Sequence, residues 1–116
     1  MPGAAALRCA LVTALVLSGS SVVAKSAREN WDSLCAQCHG SDGNGKTKEG
    51  TKRHIKDWTD PKIQASFTDS GLLKNLMLGV STEGGAERMP RFDGKLAVPE
   101  AKELIALIRS FKRQGP

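Results

Sequence analysis

Cys35-Ala36-Gln37-Cys38-His39 is the stretch of this 116-residue chain that decides the fold. Two cysteines three residues apart, followed at once by a histidine, have the spacing of covalent c-type haem attachment. On a helix, positions i, i+3 and i+4 lie on one face, so both thiols can reach one edge of a porphyrin while the imidazole reaches its iron. The motif therefore predicts one covalently bound haem c, attached through Cys35 and Cys38, with the iron bound by His39.

Other uses of these residues are less well supported. A thioredoxin-like redox pair needs an α/β context, which the sequence lacks. A disulfide between the two cysteines would not require His39. A zinc site needs four ligands, and the only candidates are Cys35, Cys38, His39 and His54, among which the adjacent Cys38 and His39 bind one metal poorly.

Hydrophobic periodicity predicts helices around the motif. We predict a first helix over residues 26–37, and a polar loop rich in Gly and Lys over residues 40–57. A short helix should cover residues 61–67, because Asp60 can cap it ahead of a proline at its first position. A helix with an apolar stripe should run from the cap Thr68 to a stop at Gly79.

The C-terminal part should end in another helix. Residues 80–97 form a second Gly-rich loop, and Pro99 and Glu100 open a last amphipathic helix. No stretch shows sustained strand alternation, so the predicted fold class is all-α. With 4% aromatic residues the core is thin, and a haem would fill it.

The first 24 residues indicate a secretory signal peptide. Arg8 is followed by an apolar segment and then by small residues up to Ala24, where we expect cleavage. The alternative is an uncleaved anchor, for which the apolar segment is short. Cleavage leaves residues 25–116 as one domain in the periplasm, without stable membrane insertion. It removes Arg8 and no acidic residue, so the net charge of +5 becomes +4.

Taken together, these features resemble the class I c-type cytochromes. The resemblance covers nearly all of residues 25–116, from the cysteine motif through the Gly-rich loops to the amphipathic last helix. It implies a small all-α fold wrapped around haem, with the first and last helices packed across each other. The residues implied in that packing are Trp31, Leu34, Leu104, Ile108 and Phe111.

The second axial ligand of such an iron should be Met89. It lies in a polar loop before Pro90, where a thioether has no core to fill. Met77 is the rival thioether, but it belongs to an apolar helical stripe and is explained by packing. His54 is the rival imidazole, and the basic residues around it indicate a solvated loop.

One feature departs from the family. Its members commonly carry a proline after the haem motif whose carbonyl accepts the N–H of the proximal imidazole. Here no proline occurs between His39 and Pro61. An acceptor is still expected, because it fixes the tautomer of the ligand.

Residues 40–47 match the P-loop pattern, Gly-x-x-x-x-Gly-Lys-Thr. A functional P-loop joins a buried strand to a helix, whereas this segment follows the predicted haem-bearing helix. We therefore expect no nucleotide binding, and the glycines are better explained by tight turns near the haem.

Basic residues concentrate in the two loops that border the haem in this family. We call them the basic rim, and they are Lys46, Lys48, Lys52, Arg53, Lys56, Arg88, Arg91 and Lys95. Such a rim would steer a redox partner with an acidic docking surface. Nucleic-acid binding is not expected, because aromatic residues are not interleaved with the lysines. Trp58 is a candidate hydrogen-bond donor to a haem propionate or an aromatic residue at the core edge.

The resemblance implies a periplasmic mono-haem one-electron carrier and not an enzyme. His and Met ligation leaves no open iron position for a substrate. One alternative is a haem c subunit of a larger periplasmic oxidoreductase. Another is a haem enzyme or gas sensor with an open iron site.

Overall fold

The computed structural model describes residues 2–4, 10–19 and 24–113. Six helices and two short strands follow one another along this part of the chain. They are α1 (Ala27–Leu34), α2 (Ala36–His39), α3 (Lys48–Lys52), α4 (Pro61–Ala65), α5 (Asp69–Leu78), β1 (Val80–Ser81), β2 (Glu87–Met89) and α6 (Val98–Ser110). The predicted all-α class is confirmed.

The predicted signal peptide falls partly outside the described residues. Arg8 and residues 20–23 lie outside them, whereas residues 10–19 are described and form neither helix nor strand. The large apolar side chains of residues 11–17 are 82–94% exposed, so they take no part in the core. Among the described residues, no helix is long and apolar enough to cross a membrane.

The helix predicted over residues 26–37 is interrupted. It begins as expected, because the Ser26 side chain accepts from the Glu29 N–H while the Glu29 carboxylate accepts from the Ser26 N–H. At Cys35 the backbone leaves the helical region, with φ −122°. The prediction of one continuous helix is therefore wrong at Cys35, which separates α1 from α2.

The loop predicted over residues 40–57 contains a helix, α3. Thr47 caps it, and its side chain accepts from the Gly50 N–H at 2.8 Å. The buried residue of this helix is a glycine. Its formation rests on a cap and not on an apolar stripe, which is why hydrophobic periodicity missed it.

The caps predicted for α4 and α5 are confirmed. The Asp60 carboxylate accepts from the Lys62 N–H at 2.8 Å, and the Thr68 hydroxyl accepts from the Gly71 N–H at 3.0 Å. Gly79 ends α5 with φ 74°. These side chains satisfy N–H groups that a helix leaves without partners in its first turn.

Strands β1 and β2 form an antiparallel hairpin that the sequence did not predict. Val80 pairs with Met89, and a shift of register follows before Ser81 pairs with Glu87. With two and three residues, the strands are too short for an alternating pattern to be recognised. The hairpin is mostly exposed, and it places Met89 beside the end of α5.

Helices α1 and α6 pack against each other around a small core. Trp31 and Leu104 are fully buried, and Ile108 lies beside them in the core. The Trp31 and Phe111 rings are 4.9 Å apart. The packing of the first helix on the last that the resemblance implied is therefore present.

Candidate functional site

A cavity of about 50 Å³ lies between α1, α5, α6 and the hairpin. Its lining is predominantly apolar and comprises Trp31, Cys35, His39, Trp58, Leu72, Asn75, Leu76, Met89 and Ile108. Three of the four predicted site residues, Cys35, His39 and Met89, therefore come together at one cavity. Cys38 does not line it, but follows Cys35 by one helical turn.

Within the described part of the chain, neither motif cysteine forms a disulfide. Cys35 is buried and Cys38 is half-buried. Burial, together with the neighbouring Cys38, raises the pKa of the Cys35 thiol to about 12.

His39 lies in the cavity wall with a largely buried imidazole. Burial lowers the pKa of its imidazole below the ordinary value of 6.5. Its Nδ1 atom is buried and, within the described part of the chain, has no hydrogen-bond partner. The acceptor expected for the ring N–H is thus not supplied by a described residue, in keeping with the absence of a proline after the motif.

The end of α2 is held by hydrogen bonds to its carbonyl groups. These run from Thr47 Oγ1 to Cys38 O at 2.6 Å, from Gly45 N to His39 O at 2.8 Å, and from Trp31 Nε1 to Gly40 O at 2.9 Å. The donors come from α1 and from the Gly-rich loop. The backbone that carries His39 is consequently fixed from both sides.

Gly50 packs directly on this capped turn. A Cβ atom there would lie 2.1 Å from the Gly45 carbonyl oxygen and 2.7 Å from the Cys38 carbonyl oxygen. Helix α3 can approach α2 so closely because this residue has no side chain.

The P-loop-like segment uses its amides internally. Gly43 N donates to Gly40 O at 3.2 Å, and Gly45 N donates to His39 O at 2.8 Å. A phosphate-binding loop would instead present such N–H groups to the ligand. The structure therefore agrees with the interpretation that these glycines serve tight turns.

Met89 is brought to the cavity by a close approach of two backbones. A Cβ atom at Gly79 would lie 2.7 Å from the Met89 carbonyl oxygen and 2.9 Å from Arg91 N. Beyond it, Phe92 N donates to Leu76 O at 3.0 Å. The chain just after Met89 is thus hydrogen-bonded to α5, and Met89 itself pairs with Val80 of β1.

The rival ligands lie elsewhere. Met77 is half-buried and packs against the core, and it does not line the cavity. His54 is exposed and has φ 52°, a left-handed conformation in a surface turn. In the described part of the chain no group of three or more His, Cys, Asp or Glu residues could hold a metal ion.

Trp58 lies in the cavity wall and is 8% exposed. Its backbone is fixed on both sides, because Trp58 N donates to Gly43 O at 2.9 Å and Gln64 Nε2 donates to Trp58 O at 2.7 Å. Gln64 Nε2 also donates to Ile108 O at 2.7 Å. The loop that carries Trp58 is therefore attached to α6.

Asn75 and Leu72 are lining residues that the sequence analysis did not single out. Leu72, like Leu76, belongs to the apolar stripe that the sequence predicts for this helix. Asn75 is a polar residue between apolar neighbours on the same helical face. That interruption of the stripe is a signal that could have identified it.

All eight residues of the basic rim are exposed. Its two loops meet at Arg53 and Arg88, which bond to each other's backbone. Arg53 Nη1 donates to Arg88 O at 3.2 Å, and Arg88 Nη2 donates to Arg53 O at 3.5 Å. Part of the rim is paired, since Arg53 contacts Glu49 at 3.5 Å and Arg91 contacts Asp93.

An apolar cavity walled by a thiol, a neutral imidazole and a thioether, with a second thiol one turn away, suits a c-type haem. These features define a small c-type cytochrome. The family model described as cytochrome c oxidase, cbb3-type, subunit III matches residues 23–108, and the chain belongs to this family. It is therefore a haem c protein of electron transport, with iron in a covalently bound haem.

Solved structures agree with this assignment. The chain is similar to the KustC0563 c-type cytochrome, with 28% identity and a TM-score of 0.68 over 77% of this chain and 100% of that one. A point variant of the same cytochrome gives 30% identity and a TM-score of 0.62 over 76% and 100%. A comparison with curated proteins found no match.

Proposed function

We propose that this protein is a mono-haem one-electron carrier whose iron is bound by His39 and Met89. Cys35 and Cys38 would hold the haem through two thioether bonds. The observation that carries this proposal is the cavity, which is lined by Cys35 and His39 and also by Met89, 50 residues further along the chain. Haem c supplies a one-electron couple between Fe(III) and Fe(II).

The two axial residues suit this role. Neutral His39 can donate a nitrogen lone pair, and its backbone is fixed by the hydrogen bonds at the end of α2. Met89 can donate its sulfur, and methionine ligation raises the reduction potential of a cytochrome. With both positions filled by the protein, a substrate has no access to the iron, which favours a carrier over an enzyme.

Carbon monoxide distinguishes a carrier from a haem enzyme or gas sensor. We expect the reduced protein to bind it slowly, because Met89 must first leave. Rapid, stoichiometric binding at neutral pH would support an open iron site and would contradict the proposed ligation.

Residues 25–116 would form the working domain in the periplasm after removal of residues 1–24. Support comes from the exposed apolar residues 11–17, which contribute nothing to the core. Intact mass of the protein from its native host should equal the polypeptide from residue 25 plus one haem. A mass without haem would contradict the attachment, and a mass that retains residues 1–24 would contradict the cleavage.

The basic rim would guide an acidic redox partner. The reciprocal bonds of Arg53 and Arg88 bring its two loops together near Met89. Exposed charges are screened over about 8 Å at physiological ionic strength. The electron-transfer rate with an acidic partner should therefore fall as salt rises, and Arg88→Gln should slow it more than Lys102→Gln on α6. A rate independent of salt would contradict the steering.

The second candidate is a haem c subunit of a larger periplasmic oxidoreductase. The match to a family described as an oxidase subunit favours it. Purification from native cells distinguishes the two functions. A protein that elutes alone supports the free carrier, whereas stoichiometric retention with a catalytic subunit supports the complex.

A further inference from the structure

Gln64 is a buried polar side chain of α4 that lies behind the cavity wall. It is 5% exposed. Its amide nitrogen Nε2 donates to two backbone carbonyls, Trp58 O and Ile108 O, each at 2.7 Å. Both acceptor residues line the cavity. One buried amide therefore connects two parts of the wall, one from a loop and the other from α6.

The guanidinium group of Arg109 determines which way this amide points. Arg109 Nη1 donates to Gln64 Oε1 at 2.9 Å and to Gln64 O at 2.6 Å. Because a guanidinium group only donates, the amide must turn its oxygen toward Arg109 and its nitrogen toward the cavity wall. Arg109 is held in turn by the Asp69 carboxylate, which accepts from Nε at 2.9 Å. The orientation of the amide is therefore fixed by a charged group.

Arg109 also supports the Trp58 side chain. Its Nη2 donates to Phe67 O at 2.7 Å. The Phe67 ring lies 5.1 Å from the Trp58 ring, measured between ring centres. The same network of hydrogen bonds thus holds the backbone of Trp58 through Gln64 and its indole ring through Phe67.

A cavity wall that is held in this way excludes water from the haem. Fe(III) haem carries one more positive charge than Fe(II) haem, so contact with water favours the oxidised state. Exclusion of water therefore raises the midpoint potential, and burial is one of the means by which a protein sets that potential. A residue behind the wall can have this effect without contacting the haem.

We propose that Gln64 is a positioning residue that holds Trp58 and Ile108 in the wall of the haem cavity and thereby raises the midpoint potential. Arg109 sets the orientation of its amide. This inference rests on the proposed function, because it places the haem in this cavity. It does not depend on which residue is the second axial ligand.

The test uses the haem-loaded protein and two substitutions of Gln64. Gln64→Leu removes the amide. Gln64→Glu keeps its size and the acceptor for Arg109, but turns a carboxylate oxygen toward the two carbonyls. Ala65→Glu is the control, because it adds the same negative charge at the next, exposed position of α4. The loop should stay folded in each variant, since Trp58 N still donates to Gly43 O at 2.9 Å.

Two readouts distinguish a loosened wall from a general loss of stability. The first is the midpoint potential. The second is the hydrogen-exchange rate of the Trp58 amide divided by that of the Leu104 amide, which lies in the buried part of α6. Global unfolding exposes both amides, whereas local opening of the loop exposes only that of Trp58.

We expect both Gln64 variants to raise the exchange ratio about two- to tenfold, the effect of one lost hydrogen bond, and to lower the midpoint potential. Ala65→Glu should leave the ratio unchanged and lower the potential less than Gln64→Glu does. An unchanged ratio in Gln64→Leu would overturn the inference. A raised ratio with an unchanged potential would also overturn it, because Gln64 would then hold the loop without affecting the haem.

Arg109→Lys provides the test if Gln64→Leu does not fold. Lysine retains the positive charge but lacks the planar fork of donors that holds the Gln64 oxygen. The exchange ratio should rise and the potential should fall, as in the Gln64 variants. Wild-type values of both quantities in Arg109→Lys and Gln64→Glu would overturn the inference.

The failure of the proposed function gives a different result. A mass without haem would contradict both proposals. Retention of the far-red absorption in Met89→Ala would contradict the axial ligation alone. Wild-type exchange and potential in the Gln64 variants would contradict only the role of Gln64.

Discussion

Replacing Gly79 by alanine should release Met89 from its position. An added Cβ atom would lie 2.7 Å from the Met89 carbonyl oxygen and 2.9 Å from Arg91 N, both of them backbone atoms that cannot rotate away. Gly79 also has φ 74° and ψ −177°, a region that only glycine adopts readily. The strained backbone costs about 1–3 kcal/mol and the overlap a further ~1–3 kcal/mol.

Gly85 provides the matched control for this substitution. It has φ 82°, but an added Cβ atom would meet no atom within 4 Å. Gly85→Ala should therefore cost only the strain, about 1–2 kcal/mol. Chemical denaturation measures both costs, while far-red absorption and cyanide binding report on Met89. We expect only Gly79→Ala to weaken the absorption and raise the cyanide affinity. Equal costs and unchanged spectra in the two variants would refute this reasoning.

Two further substitutions, each paired with a control, test other parts of the site. Gly50→Ala should destabilise the protein by about 1–3 kcal/mol because its Cβ atom would overlap the carbonyls at the end of α2, although alanine is normally favoured over glycine in a helix by about 1 kcal/mol. Gly71→Ala in α5, where an added Cβ atom would meet only Thr68 Oγ1 at 3.1 Å, should be neutral or stabilising, and thermal unfolding of the two variants checks the contrast. Thr47→Val should destabilise the protein by about 1–2 kcal/mol, because it removes the hydroxyl that caps α3. Thr47→Ser keeps that hydroxyl and should retain wild-type stability in the same assay. A Val variant as stable as the Ser variant would contradict the capping role of Thr47.

The haem motif and the helix caps could be predicted from sequence because their chemistry is local. The spacing of Cys35, Cys38 and His39 is enough to predict that two thiols and an imidazole can reach the same haem. A cap such as Thr68 needs only a hydroxyl that lies two or three residues before the N–H group from which it accepts a hydrogen bond. Neither prediction depends on what the rest of the chain does.

The missed elements depend on contacts that the sequence does not display. Helix α3 is stabilised by the cap Thr47 and by its close approach to α2 at Gly50. The hairpin rests on the pairing of Val80 with Met89. The sequence shows that residues 50 and 79 are glycines, but only the structure shows which backbone approaches each of them.

Two functional details also needed the three-dimensional arrangement. Asn75 interrupts an apolar stripe, but its position in the cavity became evident only when α5 was placed beside Met89. The Nδ1 atom of His39 is buried and has no hydrogen-bond partner among the described residues. In the family, the carbonyl of the proline that this sequence lacks would accept that N–H. A proline count alone could not tell whether another acceptor had replaced it.

The far-red Fe(III)–thioether absorption of Met89→Ala, compared with that of Met77→Leu, tests the central claim most directly. Met89 lines the cavity, whereas Met77 packs against the core outside it. We expect Met89→Ala to lose the absorption, and Met77→Leu to keep it at a cost below about 1.5 kcal/mol of stability. Retention of the absorption in Met89→Ala together with its loss in Met77→Leu would contradict the account.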